Sequence, residues 1–288
     1  MKLFFVFFLL VIILFPPLLA AMDWPSSGVL TRNFGWNNRG LPHLGVTIED
    51  SGEFRSAEVG ELLYRRREGD TASRLPSPLG SWAALDHGDG IISIYSRFDD
   101  ASSREIEGQV EKGQALGEAG ISGWSGRTGF YFQLFDRKER RWINPSMIIT
   151  PPEDTRPPVI QSVRLRNEQG RLFDLFQTRI LSQGRYVILV EAVDTMRLPN
   201  ESPLAPYRII CSLNGSEAGS LNFETYSSRD GSLMVYRNGL VPVKRVYAPF
   251  PGYEVAELWL SRGQISLEII AQDIAGNTRN VVFRLMVE

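Results

Sequence analysis

Residues 110–120 read VEKGQALGEAG, and this stretch decides more of the fold than any other part of the chain. The apolar residues Val110 and Leu116 stand on either side of Lys112-Gly113-Gln114, so a tight turn separates two short strands. Tight β-turns need residues that accept a positive φ, which glycine does at the lowest cost. The stretch therefore predicts a hairpin whose glycines maintain the fold and do not report on activity.

Segments of the same kind flank this hairpin in a fixed order. Residues 28–35 (GVLTRNFG) and 42–48 (PHLGVTI) come first, then residues 85–90 (LDHGDG) and 94–98 (IYSRF), and residues 128–134 (TGFYFQL) lie beyond it. In this order and spacing, residues 28–149 resemble the lysostaphin-type, LytM-like zinc metallopeptidases, which cut peptidoglycan crosslinks. The resemblance implies an all-β first domain of the duplicated hybrid motif type.

The same resemblance identifies the positions of a zinc site. The family holds zinc with a His, an Asp and a second His, and a further His handles protons in the reaction. His43 stands at the first ligand position, but Thr47 replaces the Asp and Arg97 replaces the His of a Tyr-x-His motif. Gly129 and Tyr131 occupy the two His positions of a His-x-His motif. His43 is thus the one ligand-position residue that survives.

These replacements do not suit a metal ion. A Thr hydroxyl is a poor zinc ligand beside a carboxylate, and Arg97 brings a permanent positive charge. The chain has only two histidines, His43 and His87, where the full constellation needs at least four. His87 is either a turn residue or part of a metal cluster with the neighbouring aspartates. The resemblance implies no catalytic residue, no zinc and no other cofactor, so we expect a protein that is not an enzyme.

A metal-free domain of this kind still has a groove around the metal position. The residues expected to line it are Trp36, His43, Thr47, Arg97, Trp124 and Tyr131. Aromatic rings stack on sugars, and an Arg pairs with a peptide carboxylate. The alternative is that Trp36 and Trp124 only cover the hydrophobic core.

Residues 150–158 (TPPEDTRPP) cannot form a central strand, so they predict a linker between a domain at 23–149 and one at 159–288. Alternating apolar runs with turn residues between them predict strands at 159–165, 185–193, 207–213, 232–236, 254–260, 266–273 and 280–287. Seven short strands favour a β-sandwich. Residues 268–287 resemble the closing hairpin of bacterial immunoglobulin-like or fibronectin-like modules, which implies a spacer or interaction module.

The N-terminus indicates export. Lys2 precedes an apolar run over residues 3–15 and a small-residue end at Ala20-Ala21, which is typical of a secretory signal peptide over residues 1–21. The alternative, an uncleaved anchor, needs about 20 apolar residues and is interrupted here by Pro16-Pro17. We expect an exported protein of a bacterial periplasm or cell envelope, without a stable membrane span after cleavage.

Charge and cysteine content narrow the function further. A formal net charge of -2 argues against a general nucleic-acid binder, which needs a strongly basic face. The single cysteine, Cys211, lies among apolar residues and is expected to be a buried strand position.

Three hypotheses about function remain. The first is a non-catalytic envelope protein that binds peptidoglycan or regulates a cell-wall hydrolase. The second is a divergent zinc endopeptidase with a rebuilt site, and the third is a structural or adhesive envelope protein that makes contact through its sandwich.

Overall fold

The computed structural model describes residues 22–69, 75–101, 105–124, 126–195, 202–249 and 252–288. The expected signal peptide, residues 1–21, lies outside this part of the chain. Within it, no helix has the length and apolar character that crossing a membrane requires. The described helices are two short 3-10 turns, Pro145–Met147 and Val243–Arg245, so the all-β prediction is confirmed.

Twelve strands form the first half of the described chain. They are β1 (Val29–Arg32), β2 (Asn37–Asn38), β3 (Leu41–Pro42), β4 (Val46–Glu49), β5 (Glu53–Arg55), β6 (Gly60–Arg66), β7 (Trp82–Asp86), β8 (Ile91–Ser96), β9 (Gln109–Val110), β10 (Ala115–Glu118), β11 (Phe130–Asp136) and β12 (Arg141–Ile143).

Eleven strands follow in the second half. They are β13 (Val159–Asn167), β14 (Leu172–Asp174), β15 (Ile180–Leu181), β16 (Gly184–Val193), β17 (Arg208–Leu213), β18 (Ser216–Arg229), β19 (Ser232–Arg237), β20 (Leu240–Pro242), β21 (Gly252–Leu260), β22 (Gly263–Gln272) and β23 (Thr278–Val287). All seven predicted strands are present, while β14, β15, β18 and β20 were not predicted.

The hairpin predicted around Gly113 is wrong in its pairing. The turn itself exists, with Gly113 at a φ of 75°. However, β9 pairs with β6 and β10 pairs with β5, so the two strands diverge after the turn instead of pairing with each other. The turn at residues 87–90 does close a hairpin, because β7 and β8 pair directly on either side of it.

The first half packs around one cluster of apolar side chains. Its central strands are adjacent in the order β7, β8, β11 and β4. Alternate residues of β11, namely Phe130, Phe132 and Leu134, are fully buried in this core. This alternation is that of a strand with one face toward the protein interior.

The second half is a β-sandwich. One sheet has the strand order β14-β13-β16-β21, and β17, β22 and β23 belong to the opposite sheet. Apolar residues of both sheets share one core, for example Val163 and Val190 on one side and Cys211 and Ile269 on the other. Cys211 is fully buried and unpaired, as its sequence context predicts.

Residues 151–158, within the predicted linker 150–158, contain no helix or strand. Contacts outside this segment also connect the two halves. Strand β12 pairs antiparallel with β18, with Trp142 opposite Tyr226, so hydrogen bonding continues from one half into the other. Phe34, which follows β1, is fully buried in the core of the sandwich, where its ring lies 5.0 Å from that of Tyr226. The boundary at residues 150–158 therefore separates segments of sequence that fold against each other.

Side-chain amides fix this contact on both sides of Phe34. The Asn33 amide donates to the Ala205 carbonyl at 2.8 Å, and the Ala205 N–H donates back to it at 2.7 Å. Asn37 donates to the carbonyls of Ala248 and Gly252 at 2.8 and 3.0 Å. These amides satisfy buried backbone groups of the second half, so the segment from Asn33 to Asn37 is hydrogen-bonded to the sandwich.

Gly35 is the tightest point of this contact. It has a φ of 84°, and a Cβ atom built on it would lie 2.6 Å from the Phe223 ring. Gly40 has a similar φ of 90°, but a Cβ atom there would have no neighbour within 4 Å. The two glycines therefore differ in crowding and not in backbone conformation.

We predict that Gly35→Ala destabilises the protein more than Gly40→Ala. The overpacking of Phe223 adds about 1–3 kcal/mol to the backbone strain that both variants share. Urea denaturation followed by tryptophan fluorescence measures both free energies of unfolding. Equal losses of unfolding free energy in the two variants would contradict the close packing at Gly35.

Candidate functional site

Three neighbouring strands bring the expected metal positions together. Thr47 on β4 is the register partner of Tyr131 on β11, and Tyr131 is in turn opposite Ser96 on β8. Gly129 immediately precedes β11, and Arg97 immediately follows β8. Residues far apart in sequence thus meet at the same level of one sheet.

His43 is buried in this arrangement, with 8% of its surface exposed. Its Nε2 atom lies 3.0 Å from the Thr47 hydroxyl oxygen, within hydrogen-bond distance. Its ring packs on the ring of Tyr131 with the centroids 4.7 Å apart. The nitrogen that would face a metal is therefore engaged by the side chain that replaces the family's carboxylate.

Arg97 lies over the same tyrosine. Its guanidinium carbon is 5.3 Å from the centroid of the Tyr131 ring, a cation–π distance. Its Nε atom is buried and has no hydrogen-bond partner within the described part of the chain. The guanidinium is thus held in place by packing, with one hydrogen-bond donor unused.

The backbone of Arg97 is strained and firmly held. Its φ of 74° falls in the left-handed region, which is costly for a residue with a long side chain. Its N–H donates to the carbonyls of Ser81 at 2.8 Å and Leu79 at 3.1 Å, and its carbonyl accepts from the Gly120 N–H at 2.8 Å. Contacts on both sides of the residue therefore maintain the strained conformation.

A cavity of about 70 Å³ opens beside these groups. Among the described residues, its charged lining consists of Arg32, Arg97, Arg127 and Glu49, and hydroxyl groups come from Thr31, Thr47, Thr128 and Ser202. Three guanidinium groups and one carboxylate give the cavity a positive balance. An environment of this kind favours anions over cations.

Burial is the main influence on the titration of the neighbouring side chains, and the positive charge acts second on His43. Burial, followed by Arg97 and Arg32, lowers the pKa of His43 from 6.5 to about 3. Burial raises the pKa of the Tyr131 hydroxyl above its usual value, so it stays protonated near neutral pH. Burial also lowers the pKa of Arg97, but a guanidinium remains charged at any physiological pH.

The residues present do not fit a zinc ion. Thr47 stands where a carboxylate is needed, the Nε2 atom of His43 is hydrogen-bonded to its hydroxyl, and Arg97 is a fixed cation. Gly129 offers no ligand, and a Cβ atom there would lie 2.7 Å from the Ile48 carbonyl oxygen. Restoring a histidine at this position therefore requires the backbone to move.

The expected groove is only partly realised. Thr47 and Arg97 line the cavity, and His43 and Tyr131 lie behind them. The two tryptophans expected to line the groove, Trp36 and Trp124, are not among the lining residues. Trp36 is half-buried in the segment that joins the two halves, where its carbonyl accepts from the His43 N–H, and Trp124 is 78% exposed. The structure brings Thr47, Arg97 and Gly129 together at this cavity, and neither indole is part of its described lining.

His87 is engaged in the fold on both sides of its ring. Nδ1 lies 2.7 Å from the Val59 carbonyl oxygen, and Nε2 lies 2.6 Å from the Ser93 hydroxyl. These contacts favour the turn-residue interpretation over a metal cluster.

A second group of ionisable side chains was missed by sequence reasoning. Carboxylate oxygens of Asp154, Asp194 and Asp273 lie within 4.8 Å of one another, and the latter two residues are buried. Burial, followed by repulsion from Asp273 and Asp154, raises the pKa of Asp194 from 3.8 to about 7. The only signal in the sequence was the repeated apolar-to-Asp strand ending at Asp194 and Asp273, which did not reveal that the two ends meet.

We predict that the His43 ring does not titrate between pH 5 and pH 8. The unfolded chain takes up this proton near pH 6.5, but the folded protein does so only near pH 3, so the contribution of His43 lowers stability as the pH falls below 6.5. Nuclear magnetic resonance of the histidine ring carbons measures the titration, with the signal assigned by its absence in His43→Gln. A midpoint near 6.5 would contradict the burial of the ring.

We predict that Asp194→Asn stabilises the protein increasingly as the pH rises from 4 to 7. In this window the folded state holds a proton on Asp194 that the unfolded chain has released, so wild-type stability falls as the pH rises. The gain in the free energy of unfolding reaches at most ~4 kcal/mol, since a shift of one pKa unit corresponds to about 1.4 kcal/mol.

Urea unfolding at several pH values, with EDTA present to remove divalent cations, measures this gain. The control is Asp230→Asn, which removes the same charge from an exposed turn position. A gain for Asp194→Asn that does not change with pH, or that the control reproduces, would refute the prediction.

Comparisons with known proteins bear on the two halves separately. A protein-family model matches residues 157–288, which is less than half of the chain. No curated protein matches the sequence.

Solved structures of peptidases are similar to part of this chain. The catalytic domain of the prophage-encoded M23 protein EnpA from Enterococcus faecalis is 21% identical, with a TM-score of 0.35, over 44% of this chain and 95% of that one. The catalytic domain of the peptidase lysostaphin from Staphylococcus simulans is 20% identical, with a TM-score of 0.31, over 36% of this chain and 77% of that one.

A zinc-containing peptidase from Vibrio cholerae is 18% identical, with a TM-score of 0.36, over 43% of this chain. The match spans only 39% of the Vibrio protein. At such identities and scores, none of these similarities transfers an activity, a substrate or a partner to this chain.

Proposed function

We propose that this protein is a non-catalytic component of the bacterial cell envelope that binds peptidoglycan or regulates a cell-wall hydrolase. The first half supplies the binding site, in the cavity beside Arg97. The expected signal peptide supports export, and the sequence resemblance to LytM-like domains supports the cell wall as the setting. A periplasmic location is part of the same proposal.

One observation carries the non-catalytic part of the proposal. The position at which a zinc peptidase needs a cation is lined by Arg32, Arg97 and Arg127, and its one surviving histidine is bound to Thr47. Metal-assisted hydrolysis needs an ion held by three protein ligands and an open position for water. The described side chains here do not provide that ligand set, and the one carboxylate among them, Glu49, stands against three arginines.

The two other hypotheses make different demands on the molecule. A divergent zinc endopeptidase requires stoichiometric zinc and a cleavage that chelators abolish. An adhesive protein that acts through its sandwich requires binding that is indifferent to changes in the cavity. Point variants of the full chain separate these cases, because removing residues 159–288 would also remove the pairing partner of β12 and the environment of Phe34.

We predict that the purified protein holds far less than one zinc ion per chain. The sample is dialysed against trace zinc, washed in metal-free buffer and analysed by elemental mass spectrometry, with His43→Ala as the control. Cleavage of purified muropeptides is measured in the same samples with and without chelator. One zinc per wild-type chain, lost in His43→Ala, together with chelator-sensitive cleavage, would replace the proposed function with the endopeptidase.

The binding part is tested with purified partners. Co-sedimentation with intact peptidoglycan measures wall binding, and turnover of the same material by a wall hydrolase, with and without this protein, measures regulation. Binding or altered turnover supports the proposal. If saturating protein neither binds peptidoglycan nor alters its turnover, the proposal is refuted.

A further inference from the structure

We infer that the cavity beside Arg97 is a carboxylate-binding site, and that its ligand is the free carboxyl end of a peptide. The inference rests on the proposed function in taking that peptide to belong to the cell wall. The chemistry of the site itself is argued from the side chains that form it.

The unused donor of Arg97 is the first argument. A buried N–H without a partner loses its hydrogen bonds to water and gains none from the protein, which is unfavourable for a charged group above all. Such a group is rare in a native fold, and the Nε atom of Arg97 is one. An anion in the cavity would stabilise this poorly solvated charge, although the buried Nε atom itself lies out of its reach.

The geometry of the guanidinium limits the chemical class of the ligand. Arg97 lines the cavity with its guanidinium carbon over the Tyr131 ring, and the two terminal nitrogens of a guanidinium present parallel donors along one edge. A planar carboxylate accepts both bonds at once, which is the bidentate arrangement that makes such pairs strong and specific. The strained and doubly anchored backbone of Arg97 keeps this edge in place before the ligand arrives.

Size and charge favour a single carboxylate. A water molecule needs ~10–15 Å³, so a cavity of about 70 Å³ has room for a carboxylate and a small adjoining group but not for a larger ligand. Glu49 partly offsets Arg32 and Arg127, which suits a monoanion better than a phosphate dianion. The hydroxyls of Thr31, Thr47 and Thr128 provide further polar contacts.

The first experiment titrates isotope-labelled full-length protein with sodium acetate at constant ionic strength. Nuclear magnetic resonance follows the Arg97 Nε–H signal and the backbone amides of Thr47 and Gly129. We expect saturable shifts with acetate and none with acetamide or added chloride. The same measurement compares N-acetyl-dialanine, which has a free carboxylate, with its C-terminal amide, and only the free acid should bind.

Three variants test the role of Arg97. We expect the affinity for N-acetyl-dialanine to fall about tenfold or more in Arg97→Gln and in Arg97→Lys, because lysine keeps the charge but lacks the two-donor edge. Arg185→Gln removes the same charge from an exposed ion pair in the second half and should leave the affinity unchanged. Arg97→Lys binding as tightly as wild type would overturn the bidentate site.

Other outcomes are equally decisive. Tighter binding of inorganic phosphate than of acetate would replace the carboxylate with a phosphate-bearing ligand, and the absence of any anion-induced shift would overturn the site altogether. Co-sedimentation with peptidoglycan separates this inference from the proposed function. Acetate binding without any wall or hydrolase interaction refutes only the proposed function, and wall binding without any acetate shift refutes only the carboxylate site.

Discussion

The burial of Phe34 in the core of the second half is the contact on which the arrangement of this protein depends. Full burial of such a side chain contributes about 1.5–3 kcal/mol. It is effective here because Asn33 and Asn37 satisfy the surrounding carbonyl groups, so the aromatic ring enters the sandwich without leaving buried polar groups unpaired. The two halves are consequently one packed structure, although a proline-rich segment divides them in sequence.

This contact also positions the cavity. Strand β1 leads directly into Phe34, and β1 pairs with β4, which carries Thr47. Strand β4 pairs with β11, which carries Tyr131. The floor of the cavity is therefore attached, through two strand pairings, to the segment anchored in the sandwich.

Charge and burial act together at the position that resembles a metal centre. A buried histidine beside two arginines stays neutral because both desolvation and repulsion oppose its protonation. The same positive charges that keep His43 neutral make the cavity unsuitable for a cation and suitable for an anion. The presence of Thr47 and Arg97 at positions where the resembling family has a carboxylate and a histidine is therefore the basis for proposing an anion in place of a metal at this site.

The amino-acid sequence by itself determined seven of the strands of the second half, where most turns fall, and which residue types stand at the expected zinc positions. These features depend on local properties: alternation of apolar residues, glycines that accept a positive φ, and the chemical types of single side chains. Strand β18 escaped prediction because Gly219, Ser220 and Leu221 are buried in succession, which breaks the period of two that marks a strand. Its partner β12 is more than 70 residues away in sequence, so no local pattern predicts the pairing.

Only the tertiary structure decided how these parts meet. It placed Phe34 in the far core, left Trp36 and Trp124 out of the described lining of the cavity, brought Asp194 to Asp273, and left the Nε atom of Arg97 buried without a partner among the described residues. Each of these depends on the direction of a side chain relative to residues remote in sequence. A one-dimensional pattern records which residues are present, but the free energy of a buried charge or an unused hydrogen-bond donor depends on what surrounds it in space.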